Sequence, residues 1–263
     1  MITILAIIFL VLGLIIGSFL NVVIFRYNTH RTFRGRSGCL SCQNKLSWYE
    51  LIPVFSFLAL RGRCKNCKTR ISIQYPIVEL LTGIVFAGLF LKLQNAFFFD
   101  TIGFSIAFAF YATIFSLLIV ISVYDLKHKI IPNSFALTFG ILSFIGLFLF
   151  SSFNFNPHFP SLMEFLSGIF IALPFLLMWL LSKGSWMGLG DAKLAVGIGW
   201  FLGLSLALSS LVIAFWAGAL IGILLIIFSK KYSLKSEIPF APFMVFGAML
   251  IFLLPLHIFP LGF

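Results

Sequence analysis

Residues 102–124 read IGFSIAFAFYATIFSLLIVISVY, and Asp125 follows at once. These 23 residues carry no charge. As a helix rising ~1.5 Å per residue they extend ~34 Å, enough to cross a hydrocarbon core of ~30 Å. Working outward, similar runs occupy 2–25, 76–94, 133–151, 161–182, 192–206, 209–228 and 239–259. Pro76, Pro132 and Pro239 lie at or beside helix starts, where a missing N–H costs little. The break between the sixth and seventh runs falls within 203–210 and is the least marked. The chain is 61% hydrophobic and only 10% charged, too little polar surface for a soluble domain of 263 residues. The reading is an all-α polytopic membrane protein of about eight transmembrane helices. Its 35 phenylalanines lie mostly in the apolar runs, as core or lipid-facing filler.

The charges test this layout. The net charge is +11, and ten of the 18 Lys and Arg residues fall between Arg26 and Arg70, in one loop. If the N-terminus lies outside, then 26–75, 125–132, 183–191 and 229–238 face the cytoplasm. Those loops and their borders hold every Lys and Arg except Lys92. Cytoplasmic loops collect Lys and Arg, so seventeen of eighteen on one side supports both helix count and orientation. The basic charge therefore needs no nucleic acid to explain it; anionic lipid is a compatible neighbour. The apolar stretch at the N-terminus is followed, not preceded, by positive charge and lacks a small-residue cleavage site, so it reads as a retained helix. The domain division expected is 1–25 as the first transmembrane helix, 26–75 as a cytoplasmic loop domain, and 76–263 as a membrane-embedded domain of about seven helices.

The loop 26–75 is too small to hold a core unaided. It contains all four cysteines, Cys39, Cys42, Cys64 and Cys67, as two CxxC pairs with 21 residues between them. Each pair places two thiolates on one tight turn, and two such turns close a tetrahedral sulfur site suited to Zn²⁺. Four protein ligands leave no open position for water, so the zinc is structural. A thiol redox pair would need one CxxC, and the reducing side of the membrane disfavours a disulfide.

Seven acids occur in the chain. Glu237 and Asp100 read as solvated loop residues, Glu164 as interfacial, and Glu79 as a support for either the fold or a site. Asp125 closes the third run and Asp191, after Gly188-Leu189-Gly190, opens the sixth. The orientation puts both at the cytoplasmic boundary at similar depth, where two carboxylates from different helices can meet. Such a pair holds one proton, so its ionised member can take a proton from water while the other polarises a peptide carbonyl. Gly188 and Gly190 would let an extended substrate backbone come close. Helix capping, or pairing with Lys127, His128 or Lys193, is the competing account of both acids.

Taken in order, these segments resemble the type IV prepilin peptidases. Gly17-Ser18-Phe19-Leu20-Asn21-Val22-Val23-Ile24-Phe25-Arg26 is similar to that family's opening helix. The two CxxC pairs, the second in Arg61-Gly62-Arg63-Cys64, match its cytoplasmic loop. Glu50-Leu51-Ile52-Pro53 and Tyr75-Pro76-Ile77-Val78-Glu79-Leu80-Leu81-Thr82-Gly83 are also characteristic, as are Asp125-Leu126 with Ile131-Pro132-Asn133 and the GxGD segment Gly188–Asp191. Pro239-Phe240-Ala241-Pro242-Phe243 resembles PFGPF with alanine in place of glycine. The resemblance implies that Asp125 and Asp191 cleave the basic leader from prepilins and pseudopilins at the cytoplasmic face of a bacterial inner membrane. It also implies methylation of the new N-terminal residue with S-adenosylmethionine, for which Glu50 is the candidate in the cytoplasmic loop; a loop salt bridge is the plainer role for Glu50. No glycine-rich nucleotide fingerprint marks the methyl donor's pocket. Homo-oligomerisation is left open. The alternative reading is a proton- or ion-coupled transporter using the intramembrane acids; transport sites lie nearer the bilayer midplane.

Overall fold

The computed structural model describes residues 1–29, 35, 37–39, 41–229, 233, 236–254 and 258. The chain forms two compact units, Met1–Gln94 and Asn95–Phe263, each described by itself.

In the first unit, α1 (Ile2–Arg26) and α3 (Gln74–Phe99) are the long helices, the latter running on past the unit's end. Both are long and apolar enough to cross a membrane. They approach closely because α1 carries glycine at the crossing: a Cβ at Gly17 would stand 2.7 Å from the Cα of Glu79, inside any real contact. Stacked rings continue the seam, Phe9 on Phe90 and Phe25 on Tyr75, each at 4.7 Å. Between them lie a 3₁₀ turn (Trp48–Leu51), a short α2 (Phe55–Ala59) and two isolated antiparallel bridges, Gly38 with Lys45 and Arg63 with Arg70.

The second unit comprises α4 (Thr101–His128), α5 (Asn133–Leu149), α6 (Leu162–Ser182), α7 (Leu189–Leu202), α8 (Leu204–Phe228) and α9 (Ala241–Leu253). Helices α4, α6 and α8 are long and apolar enough to span; α5, α7 and α9 are shorter. The fold is the all-α polytopic arrangement read from the apolar runs, with one addition. A two-residue antiparallel pair, β1 (Phe150–Ser151) with β2 (Asn154–Phe155), closes the turn after α5. Asp100 caps α4 by accepting from the Gly103 N–H at 2.9 Å, and Glu164 forms a capping box with Ser161 on α6, so both acids hold helix ends.

Helix α7 is the centre of this unit. Leu194, Ala195 and Ile198 are fully buried, and α7 packs on both α5 and α6. The Ser167 hydroxyl donates to Gly199 O at 2.9 Å and Trp200 Nε1 donates to Phe165 O at 3.0 Å, pinning the far end of α7 to α6. Around them Tyr111, Phe115, Phe201 and Phe252 interlock, with centroids 4.9–6.1 Å apart. Helix α8 turns apolar side chains outward, Trp216 and Ile227 among them, as a lipid-facing helix does.

The break between α7 and α8 is tighter than the apolar pattern suggests. One residue, Gly203, at φ +75° and ψ 168°, separates the helices, and Ala207 lies fully buried inside α8. That backbone region is open essentially to glycine alone. Serines 205, 209 and 210 dilute the hydropathy there without breaking the helix, since Ser209 Oγ donates to Ser205 O. The last span was read to 259; residues 255–257 and 259 lie outside the described residues.

Candidate active site and metal centre

The first unit carries the cysteine site. Each CxxC pair folds into the same knuckle. The Cys39 N–H donates to Asn44 O and the Gln43 N–H to Cys39 O; the Cys64 N–H donates to Thr69 O and the Lys68 N–H to Cys64 O, all at 2.9–3.0 Å. Gln43 and Lys68 take matching positive φ values, 56° and 58°. These turns bring all four Sγ atoms within 4.8 Å of one another, with Cys39 and Cys67 at 3.7 Å. A tetrahedral site with Zn–S of about 2.3 Å has S···S edges of roughly 3.8 Å. The cluster therefore has the dimensions of a metal cage.

The thiols are electrically uneven. Hydrogen bonds from the Thr69 hydroxyl and backbone bring Cys67 down to about 6, and the Cys42 N–H, with that of Ser41, lowers Cys39. Cys42 accepts from the Asn44 N–H, yet desolvation and the neighbouring thiols of Cys67, Cys39 and Cys64 push it up to about 11. Four thiolates at this spacing repel, and a cation is what reconciles them.

Glu50 lies in the same unit. Its Oε2 accepts from the Ser47 N–H at 2.8 Å and completes a capping box on the 3₁₀ turn. Its neighbour Tyr49 is bound by Lys65, whose Nζ donates to the phenol oxygen at 2.7 Å and holds the Tyr49 hydroxyl below its ordinary range.

The second unit carries the two aspartates, at the ends of different helices. Asp125 sits in the last turn of α4 and is buried, 5% exposed. Lys129, in the left-handed region, ends that helix and donates its N–H to Asp125 O at 2.7 Å. Asp191 occupies the first turn of α7, with Gly188 as N-cap. Its carboxylate accepts from the Gly188 backbone, and it lies within electrostatic reach of Asp125. The two motif segments interlock beyond the acids themselves. Lys193 Nζ donates to Asn133 Oδ1 at 2.8 Å, so this lysine is held by α5. A Cβ on Gly190 would stand 2.9 Å from Ile131 Cβ, so glycine at 190 is what lets the start of α7 seat against the Ile131-Pro132 turn. Gly188 is different: it is exposed, and an added Cβ would meet only ordinary contacts, Asp191 Oδ2 at 3.7 Å the nearest.

A third segment joins them. The Asp125 carboxylate accepts a hydrogen bond from the backbone N–H of Ala241, the first residue of α9. Pro239-Phe240-Ala241-Pro242-Phe243 thus contributes a main-chain donor to the acid pair. Ala241 is fully buried, with its methyl group accommodated where the family pattern has glycine. The sequence carries little signal for this role, because the group that acts is an amide common to nearly every residue.

Comparison with known proteins matches these two units. Residues 11–93 match the bacterial peptidase A24 N-terminal domain, and residues 112–223 match the type IV leader peptidase family. The prepilin leader peptidase/N-methyltransferase of Bacillus subtilis is 32% identical over 245 residues, covering 92% of each chain. The chain belongs to the type IV leader peptidase family. Its relatives of the same name in Myxococcus xanthus and Xanthomonas campestris are 34% and 32% identical, over 88% and 92% of this chain. The chain spans 66% of the length of the M. xanthus protein and 88% of the X. campestris one. No solved structure matches. Membership of this family of peptidases gives the transporter reading no support.

Proposed function

We propose that this enzyme removes the leader of prepilins and pseudopilins with Asp125 and Asp191 as its two catalytic carboxylates, and then methylates the new N-terminus. The observation that carries the reading is the meeting of three segments from distant parts of the chain: Asp191 within electrostatic reach of Asp125, and Asp125 on the Ala241 N–H. A shared site of this kind keeps one proton between two acids. The ionised member then draws a proton from the attacking water while the protonated member hydrogen-bonds the scissile carbonyl, and the roles reverse as the amine leaves. Exposed Gly188 marks the side from which a substrate backbone would arrive. Gly190 seats α7 and aids the substrate only through the position it gives Asp191.

The bacterial relatives support a bacterial inner-membrane location, and the Lys and Arg distribution supports an orientation with the N-terminus outside and both the cysteine loop, 26–75, and the aspartates at the cytoplasmic face. A prepilin keeps its charged leader in the cytoplasm and its apolar segment in lipid, so its scissile bond lies at the depth of the acids. The metal is zinc, bound by Cys39, Cys42, Cys64 and Cys67 and structural in role. It fixes the loop of the first unit, to which we assign methylation because the peptidase acids lie wholly in the second unit. S-adenosylmethionine supplies the methyl group.

The test is mass spectrometry of a co-expressed prepilin, which reads leader loss and the added methyl, about 14 mass units, together. Asp125→Asn or Asp191→Asn each leaves the prepilin full-length while the enzyme accumulates normally. Normal processing by either variant refutes the assignment.

A further inference from the structure

Three stretches of the first unit take no part in the acid pair or the cysteine cage, and they converge on one buried carboxylate. Glu79, on α3, is 7% exposed. Its Oε2 accepts from the Val54 N–H at 2.8 Å, and the Ser18 hydroxyl from α1 also bonds it. Val54 is at φ +63° and ψ −49°, the centre of a γ-turn closed by the Phe55 N–H on Pro53 O at 2.6 Å. For a β-branched residue this conformation is strained, and it persists only where the surroundings impose it. The carboxylate and the turn are thus held to one another.

One turn along α1 from Ser18, and bonded to α3 one turn before Glu79, a polar group lacks a partner. Asn21, on α1 and 1% exposed, donates through Nδ2 to Tyr75 O at 3.1 Å, yet its Oδ1 is buried with no hydrogen-bond partner among the described residues. An unsatisfied buried acceptor costs roughly 1–3 kcal/mol, so it marks a place where a donor is expected. Next in sequence to Tyr75, Gln74 keeps Nε2 buried and equally without a partner, a donor awaiting an acceptor. Carboxylate and orphan carbonyl suit a primary ammonium, which has three donors; the orphan amide suits a carboxylate.

We propose that Glu79 and Asn21 Oδ1 form the seat of a primary ammonium used in methyl transfer, resting on the reading that this chain methylates. Two molecules in that reaction carry the group: the methyl donor, through the α-amino acid end of S-adenosylmethionine, and the freshly cleaved pilin, through its N-terminus. The amino acid end also carries the carboxylate that Gln74 would receive, which favours the donor.

Glu79→Gln separates charge from scaffolding, because its amide oxygen still accepts from Val54. Wild type and variant are compared for zinc content, prepilin cleavage, binding of S-adenosylhomocysteine, and KM and kcat for methylating a cleaved pilin. The expected result is intact zinc and cleavage with S-adenosylhomocysteine bound roughly 10- to 100-fold more weakly, the scale of a lost charge-assisted hydrogen bond. A raised KM for the pilin with unchanged S-adenosylhomocysteine binding assigns the seat to the pilin amine instead. Unchanged binding and unchanged KM overturn the proposal. So does equal competition against S-adenosylhomocysteine on the wild type by L-methionine and by its deaminated 2-oxo acid, where Glu79→Gln also leaves the pilin KM unchanged. Wild-type enzyme that cleaves prepilin but neither methylates it nor binds S-adenosylhomocysteine refutes the methylation reading itself.

Discussion

Replacing Gly190 with alanine would drive a methyl group into the Ile131-Pro132 turn. The added Cβ would begin 2.9 Å from Ile131 Cβ, with Cδ1 at 3.3 Å and Cγ1 at 3.4 Å. Carbon atoms rest at about 3.5–4.0 Å, so α7's first turn must retreat by roughly 0.6–1.1 Å or the turn must yield. Overpacking of this sort costs about 1–3 kcal/mol in stability, which a folded membrane domain survives. Catalysis is less forgiving, because Asp191 is the next residue. A misplacement of ~1 Å at a reacting group lowers the rate on the order of 100-fold, equivalent to ~2.7 kcal/mol of barrier. The assay is leader cleavage by purified enzyme under kcat/KM conditions, and the decisive measurement is a double-mutant cycle with Ile131→Gly, which removes all three opposing carbons. The double variant should recover much of the loss, giving a coupling energy well above experimental error. If Gly190→Ala cleaves as fast as wild type, or if Ile131→Gly restores nothing, the packing account is wrong and Gly190 serves the substrate directly.

Gly188→Ala should behave otherwise: the added carbon meets no closer neighbour than 3.7 Å, so zinc content and thermal stability stay at wild-type values while KM for prepilin rises, as measured by initial-rate kinetics. Gly203→Ala places a side chain at φ +75° and ψ 168° and should cost about 1–3 kcal/mol, read as a lowered unfolding midpoint in detergent. Purified protein should carry about one zinc per chain by elemental analysis, and replacing Cys64 and Cys67 with serine should remove it, with methylation lost before cleavage. Equal loss of both activities would mean that the cage supports the whole chain and not the first unit alone.

The large features were legible because they are written in long, redundant patterns. Residues 102–124 declare a span by length alone, and the two CxxC pairs declare a cage by spacing. The family motifs singled out Asp125 and Asp191, but their meeting depends on side chains that carry no such signal, the close seat of Gly190 on Ile131 and the tie from Lys193 to Asn133. The Ala241 amide could not be read because a backbone donor has no residue type. Glu79 stood undecided between fold and site, since its partner is the N–H of Val54, 25 residues away, and only the folded chain brings the two together. The sharp joint at Gly203 was blurred by serines that hydropathy scores as loop and a helix accepts.

The ties between Ser167 and Gly199 set α6 and α7 level at one end. From there α6 continues fifteen residues to Ser182, about 22 Å, whereas α7 has only ten back to Leu189, about 15 Å. The first turn of α7 therefore stops some 7 Å short of the end of α6, whose last turn, with Leu180 and Leu181 exposed, runs on past Asp191 as an apolar step beside the acid.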